Sequence, residues 1–388
     1  MPSGTHDIFY TDEQRMLRDN VRRFAEERIL PEAARIDRDD RFPRALYREL
    51  AGLGLFGICL AERFGGAGME TTSACIAMEE IARASGSMGN AFAIPVEASV
   101  FLSEHGNEAQ RRLIPGILDG SILPATAVTE PDHGSDVAGL RTTAVRDGDH
   151  YVINGTKAWV TLGRVADFVM VFARTGSAEG GRSISCFLVE CDRPGLARGK
   201  AEELMGMHGL EDCMLSFSDV RVPAANLIGA ENEAFKTAMR NFNFSRLMMS
   251  SMALGMAVAG FEDAMAYAHQ RRQFGQPIFD FQAVQFMLAD MSVDIDAARL
   301  LIHNAARVFD AGHSAAKEAA QAKLFTTDMA MKHITNALQI HGGNGYSREY
   351  RVERLFRDIK LSQIYEGTNQ IQRLIIARQI QREFRVRA

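Results

Sequence analysis

Residues 167–190 read DFVMVFARTGSAEGGRSISCFLVE, and how this stretch is read decides the fold. Two short runs of β-branched and aromatic residues are separated by Gly, Ser and Glu, which is the punctuation of β-strands and too short a period for a helix. CMLSFSDVRV at 213–222 repeats the pattern. Residues 124–230 are therefore predicted to form a compact middle domain, antiparallel and β-barrel-like. Upstream, from Asp12 to about Leu123, the spacing is helical. Met16, Leu17, Val21 and Phe24 are placed to share one face, and Pro31, Pro43 and Pro115 divide the segments. Downstream of Ala230 the helical period returns in long Ala-, Met- and Leu-rich segments. The run MMSSMALGMAVAGFEDAMAYA at 248–268 is read as core filling. The expected fold is α+β: an N-terminal helical domain (1–123), the middle β domain (124–230) and a C-terminal helical bundle (231–388).

The bulk composition narrows the function. The chain has 388 residues, 46% of them hydrophobic and 24% charged, with a net charge of -5. That acidic balance disfavours a phosphate-backbone binder, so nucleic acid is not an expected partner. No apolar run reaches the ~20 residues of a membrane span, and membrane insertion is not expected. Five cysteines without a C-x-x-C pair fit reduced thiols in a cytoplasmic protein. The opening residues show no leader-like segment, which leads to the same expectation.

Some familiar patterns are absent or misleading. Gly52, Gly54 and Gly57 spell G-x-G-x-x-G, but the preceding PRALYRELA has helical character, so the glycines are read as a helix end and turn. The ten histidines show neither H-x-x-x-H nor H-E-x-x-H, and no metal is predicted. There is no G-x-S-x-G elbow for a serine nucleophile.

Four segments carry chemistry. TAVTEPDHGSDVAGLRTTA (126–144) contains a Gly134-Ser135 turn that offers backbone N–H groups and a hydroxyl to a pyrophosphate. INGTKAWVTLG (153–163) holds the only tryptophan, Trp159. YAHQRRQFGQPIFDFQAVQ (267–285) places Arg271, whose planar donors suit pyrophosphate, beside Phe274; LQIHGGNGYSREY (338–350) adds two open glycines. In RDIKLSQIYEGTNQIQRLIIARQI (357–380), Glu366 lies among apolar residues that would raise its proton affinity, and Thr368 is placed to cap the following helix.

Together these segments resemble, in order and over nearly the whole chain, the signatures of the acyl-CoA dehydrogenase family, with Y-E-G-T-x-Q matching its short- and medium-chain type. The resemblance implies bound FAD held by Thr126, Val128, Thr129, Gly134, Ser135, Trp159 and Thr161. Arg271, Gln273, Phe274, Gln282, Gln339, Gly342 and Gly343 would reach it from another subunit, and Thr368 and Gln370 would complete the site. It further implies Glu366 as catalytic base, and Ser135, Asn243, Arg246, Gly367 and Arg378 as contacts to the acyl-CoA. Other implied features are a homotetramer built as a dimer of dimers, an electron-transferring flavoprotein as partner, a place in fatty acid metabolism, and a trans-2-enoyl-CoA product.

Ser245 occupies the position at which some relatives carry their base, and it cannot serve as one. Asp132, His133, Leu162, the Met207–Asp212 turn and Asn243 depart from the family pattern, so the acyl group stays open at this point. Two alternatives remain: a same-fold enzyme of different reaction, whether enoyl-CoA reductase, desulfinase or oxidase, and a noncatalytic flavin- or CoA-binding protein.

Overall fold

The structure is a computed structural model that describes residues 9–177 and 180–387. The opening residues 1–8, on which the leader expectation partly rests, lie outside that description. The first helical region comprises α1 (Asp12–Phe24), α2 (Leu30–Asp39), α3 (Arg44–Ala51), α4 (Thr71–Ala84), α5 (Gly86–His105) and two short helices, α6 (Glu108–Arg111) and α7 (Ile114–Leu118). Thr11 and Gln14 form a reciprocal capping box that fixes the start of α1. Val21 of the expected apolar face is buried, but Met16 is 66% exposed. The inward stripe instead takes in Gln14, because the face is set by packing on α4 rather than by hydrophobicity alone. Gly52 ends α3 and Gly54 takes φ 74, as a helix end and turn require.

The middle region is an open sheet of β1 (Pro124–Ala127), β2 (Thr143–Asp147), β3 (His150–Val160), β4 (Phe168–Arg174), β5 (Ile184–Glu190), β6 (Leu196–Ala201), β7 (Cys213–Pro223) and β8 (Leu227–Ile228). Strand order is β6-β7-β3-β2-β4-β5-β8, with β1 beside β4. The barrel-like, antiparallel expectation is corrected in two respects. The sheet does not close, and β1 and β2 both meet β4 in parallel. Closure is unnecessary because helices cover one face. Along β4, Val169, Val171 and Ala173 enter a core internal to the sheet, while Phe168, Met170 and Phe172 pack with Phe101, Leu102 and Ile114 from the helices. A strand buried on both faces reads as a continuous apolar run, as DFVMVFA does.

The last region contains α8 (Ala234–Gln270), α9 (Gln282–Asp310), α10 (Ala316–His341), α11 (Arg351–Ser362) and α12 (Asn369–Arg387), with a small hairpin of β9 (Arg272–Gln273) and β10 (Gln276–Pro277) after α8. Helix α8 runs about 55 Å and is, among the described residues, the one helix apolar and long enough to cross a membrane; its apolar window is wholly buried in protein. Met248, Met249, Met252 and Met256 lie inside, against α4, α5 and α10. One core runs through both helical regions, from Val21 to Ile359. This places residues of α5, α8, α10 and the α11–α12 turn around a common interior.

Candidate active site

Glu366 sits in the turn between α11 and α12 with φ 51, followed by Gly367 at φ 83. Two successive left-handed residues are costly where the first has a side chain, so the turn must be held from outside. Three neighbours hold it. Gln372 Nε2 donates to the carbonyls of Glu366 (3.0 Å) and Gly367 (2.7 Å). Buried Lys323 of α10 donates to the Gly367 carbonyl (3.0 Å) and to Asn369 Oδ1 (2.9 Å). Asn369 Nδ2 donates to Thr327 Oγ1 and Asp328 Oδ1. Thr368 Oγ1 accepts from the Ile371 N–H at 3.3 Å and caps α12, as its sequence position predicts. A Cβ at position 367 would meet Gln372 Nε2 at 2.9 Å, so glycine serves the clamp as well as leaving space.

Glu366 is half-buried, and the burial of its carboxyl raises its pKa. Arg246, the Ser245 hydroxyl and Lys323 oppose that shift. Arg246 is 9% exposed on α8, and its Nη1 donates to Asn243 Oδ1 at 2.6 Å. Asn243 in turn donates to the Ser314 carbonyl, so both ends of its amide are engaged within the protein and it bears on the site through Arg246. Burial lowers the Lys323 pKa to about 8. Tyr365 is half-buried against the core, its hydroxyl 3.8 Å from Met252 Sδ. The Glu366 N–H donates to no acceptor among the described residues.

The sheet edge is built differently. On β3 the register with β7 shifts between Lys157 and Val160, and within that bulge Trp159 takes φ 57. The bulge turns the indole outward, leaving it 60% exposed. Its neighbour Lys157 points inward, fully buried, and donates to the Val128 carbonyl (2.9 Å) and Glu130 Oε1 (3.0 Å). Glu130 also accepts from the Arg141 and Thr142 amides, and the Ala158 N–H donates to the Thr129 carbonyl. The Thr126–Thr129 and Gly155–Thr161 segments are thereby joined. Thr161 Oγ1 donates to Asp212 Oδ1 at 2.8 Å, and burial pushes Asp212 up to about 6. Thr126, Gly134 and Ser135 are exposed, Val128 and Thr129 half-buried, and a Cβ on Gly134 would touch nothing.

A third cluster lies at the far end of α8. The Tyr267 and His341 rings stack at 4.3 Å, and Asn344 donates to the Tyr267 hydroxyl. This brings together Arg271, Gln273 and Phe274 with Gln339, Gly342 and Gly343, all exposed; Gln282 starts α9 nearby. Phe274 is 95% exposed at the hairpin tip. Gly342 adopts φ 58, ψ -137, reserved in practice for glycine, with open space around it and Gly343. Among the described residues, no hydrogen bond or ion pair joins this cluster to the sheet edge of the same chain. Gln370 and Arg378 are exposed on α12.

The open ledge under Trp159, the free turn at Gly134-Ser135 and the uncovered glycines fit a flat, phosphorylated cofactor such as FAD. Sequence reasoning missed Lys323, Gln372 and the Lys157–Glu130 pair. The one signal for them was Lys157 falling on the inward alternation of a strand.

Known proteins share this architecture. Family models described as the acyl-CoA dehydrogenase N-terminal, middle and C-terminal domains match residues 11–121, 125–220 and 232–381. An acyl-CoA dehydrogenase of Bacillus subtilis is 43% identical, over 95% of this chain and 98% of that one. The caffeyl-CoA reductase–Etf complex subunit of Acetobacterium woodii is 37% identical, over 95% and 98%. The solved butyryl-CoA dehydrogenase of Megasphaera elsdenii superposes with a TM-score of 0.92 at 37% identity, covering 96% and 98%.

Proposed function

This chain belongs to the acyl-CoA dehydrogenase family, and from that premise we propose that Glu366 is the base of an FAD-dependent α,β-dehydrogenation of an acyl-CoA. The observation that carries the assignment is the clamped Glu366–Gly367 turn. The carboxyl of half-buried Glu366, its proton affinity raised by its surroundings, is fixed there in a left-handed turn that outside donors sustain.

FAD held at the ledge beside Trp159 would supply the two-electron acceptor for the hydride of the substrate β-carbon. Glu366 takes the α-proton, and the C–H electron pair becomes the new Cα–Cβ double bond, giving a trans-2-enoyl-CoA. The Glu366 N–H is available to the thioester oxygen as negative charge builds there; a donor so placed contributes about 3 kcal/mol. Arg246 keeps the ionised base accessible despite burial, and Tyr365 keeps water away from it. Ser135 and Arg378, both exposed, are assigned to the CoA portion, and Thr126, Val128, Thr129, Gly134, Thr161, Thr368 and Gln370 to the flavin.

Arg271, Gln273, Phe274, Gln282, Gln339, Gly342 and Gly343 are assigned to the FAD of a second subunit. Support comes from their exposure and from their separation from the sheet edge of their own chain. Exposed Phe274, Phe286 and Tyr346 extend an apolar surface that suits a homotetramer. The relative from A. woodii is named as part of an Etf complex, which supports an electron-transferring flavoprotein as acceptor. Five free thiols, four of them buried, fit a cytoplasmic role in fatty acid metabolism.

The test is Glu366→Gln. It should retain FAD and bind acyl-CoA normally, while anaerobic flavin bleaching by substrate slows about 10³-fold. Bleaching at the native rate overturns the assignment. Product analysis also separates dehydrogenation from the reverse reduction named for the A. woodii relative.

A further inference from the structure

Between Gly86 and Leu102 helix α5 is mostly apolar and buried, and the half-buried Glu97 is its one charged residue there. Its Oε1 is buried and has no hydrogen-bond partner. No cation forms an ion pair with Glu97 among the described residues. An acid retained for structure would have both oxygens satisfied, because an unmatched buried carboxyl oxygen is costly.

The surroundings place Glu97 beside the reaction centre. The Ser245 hydroxyl, 2% exposed on α8, favours the ionised form of both Glu97 and Glu366, and so stands within reach of each. Burial and then the charge of Glu366 raise the Glu97 pKa well above the carboxylate range. Arg246, the nearby cation, acts on Glu366 and has its own Nε buried without a partner. The seam where α5 packs on α8 therefore holds a buried carboxyl oxygen without a hydrogen-bond partner, next to the base.

We propose that Glu97 determines substrate specificity, its free oxygen accepting a hydrogen bond from a hydroxyl or amino group carried on the acyl chain. A plain alkyl chain leaves that oxygen dry and unmatched. An ω-carboxylate brings a third acid against Glu97 and Glu366. This inference rests on the assignment of Glu366 as the base in an acyl-CoA site.

The experiment uses FAD-loaded Glu366→Gln protein, in which the thioester stays unreacted. Calorimetry compares butyryl- and valeryl-CoA with their 4-hydroxy-, 4-amino-, 5-hydroxy- and 5-amino-substituted counterparts and with glutaryl-CoA. With Glu97 present, at least one hydroxy or amino thioester should bind about tenfold or more tighter than the alkyl thioester of equal length. Adding Glu97→Leu should abolish or reverse that ratio. Adding Glu97→Gln, which preserves shape if Leu perturbs folding, should keep a hydroxyl preference and lose an amino preference, which distinguishes the two donors. An alkyl-to-polar ratio unchanged by Glu97→Leu, or glutaryl-CoA binding tightest to the Glu97 protein, overturns the proposal. Should no thioester bind and none bleach the native flavin, the dehydrogenase reading itself falls and this inference falls with it.

Discussion

Trp159 and Glu366 share a backbone conformation, φ 57 and φ 51, in opposite surroundings. Trp159 is set by a bulge in β3, with its side chain left 60% exposed, and its support comes from the backbone ladder and the buried Lys157–Glu130 pair beneath it. Glu366 lies half-buried in a turn with no ladder, and its support comes from side chains of α10 and α12. A binding surface needs a rigid base and an uncovered face, so that the ligand supplies the missing contacts. A base needs the reverse: its own surroundings must shift its proton affinity before any ligand arrives.

Removing support from the clamped turn should produce the largest effect. Lys323→Met leaves the Gly367 carbonyl and Asn369 without a buried cationic donor, and unfolding measurements should show a loss of about 3 kcal/mol. Lys323 also lowers the proton affinity of Glu366. With its charge gone, the rising limb of the pH profile for flavin reduction should therefore move to higher pH. If that midpoint holds still, the clamp is mechanical only.

On the open side, Trp159→Ala should weaken FAD binding by about tenfold, the worth of one stacked aromatic face. The melting temperature of the FAD-free protein should barely change, since the indole packs on little of its own chain. A large drop in that melting temperature would erase the contrast between the two regions.

The smallest effect lies at the seam between sheet and helices. His208, in the loop between β6 and β7, directs Nδ1 at Asp37 of α2 and Nε2 at the Leu204 carbonyl. Both ring nitrogens face acceptors, and the hydrogen bond to Asp37 raises the His208 pKa to about 9. Its folded value stands above its unfolded one, so the stabilisation is complete below about pH 6.5 and lost as pH rises through about 9. Native protein should lose a few degrees of melting temperature across that window, and His208→Gln should flatten the slope.

Much of this was legible in the chain itself. The apolar runs at 168–173 and 184–190 marked strands, and the Thr129, Trp159, Arg271, Gly342 and Glu366 segments marked the acyl-CoA dehydrogenase family, because each signal is carried by residues adjacent in sequence. Met16 misled: hydrophobicity at the right spacing does not say which stripe of α1 a neighbouring helix will cover. The barrel-like, antiparallel expectation misled as well, since alternation along strands does not reveal which strands will pair, in which direction, or whether helices will cover a face of the sheet.

The sequence by itself determined the order of helical and sheet regions and the identity of the carboxylate at 366, for these follow from local periodicity and contiguous motifs. Only the tertiary structure brought Lys323 to the Gly367 carbonyl, Lys157 to Glu130, and Glu97 and Ser245 to the neighbourhood of Glu366. Those meetings depend on the shared core of both helical regions, where charge, burial and hydrogen bonding act between residues far apart in the chain, and no spacing along a single segment encodes them.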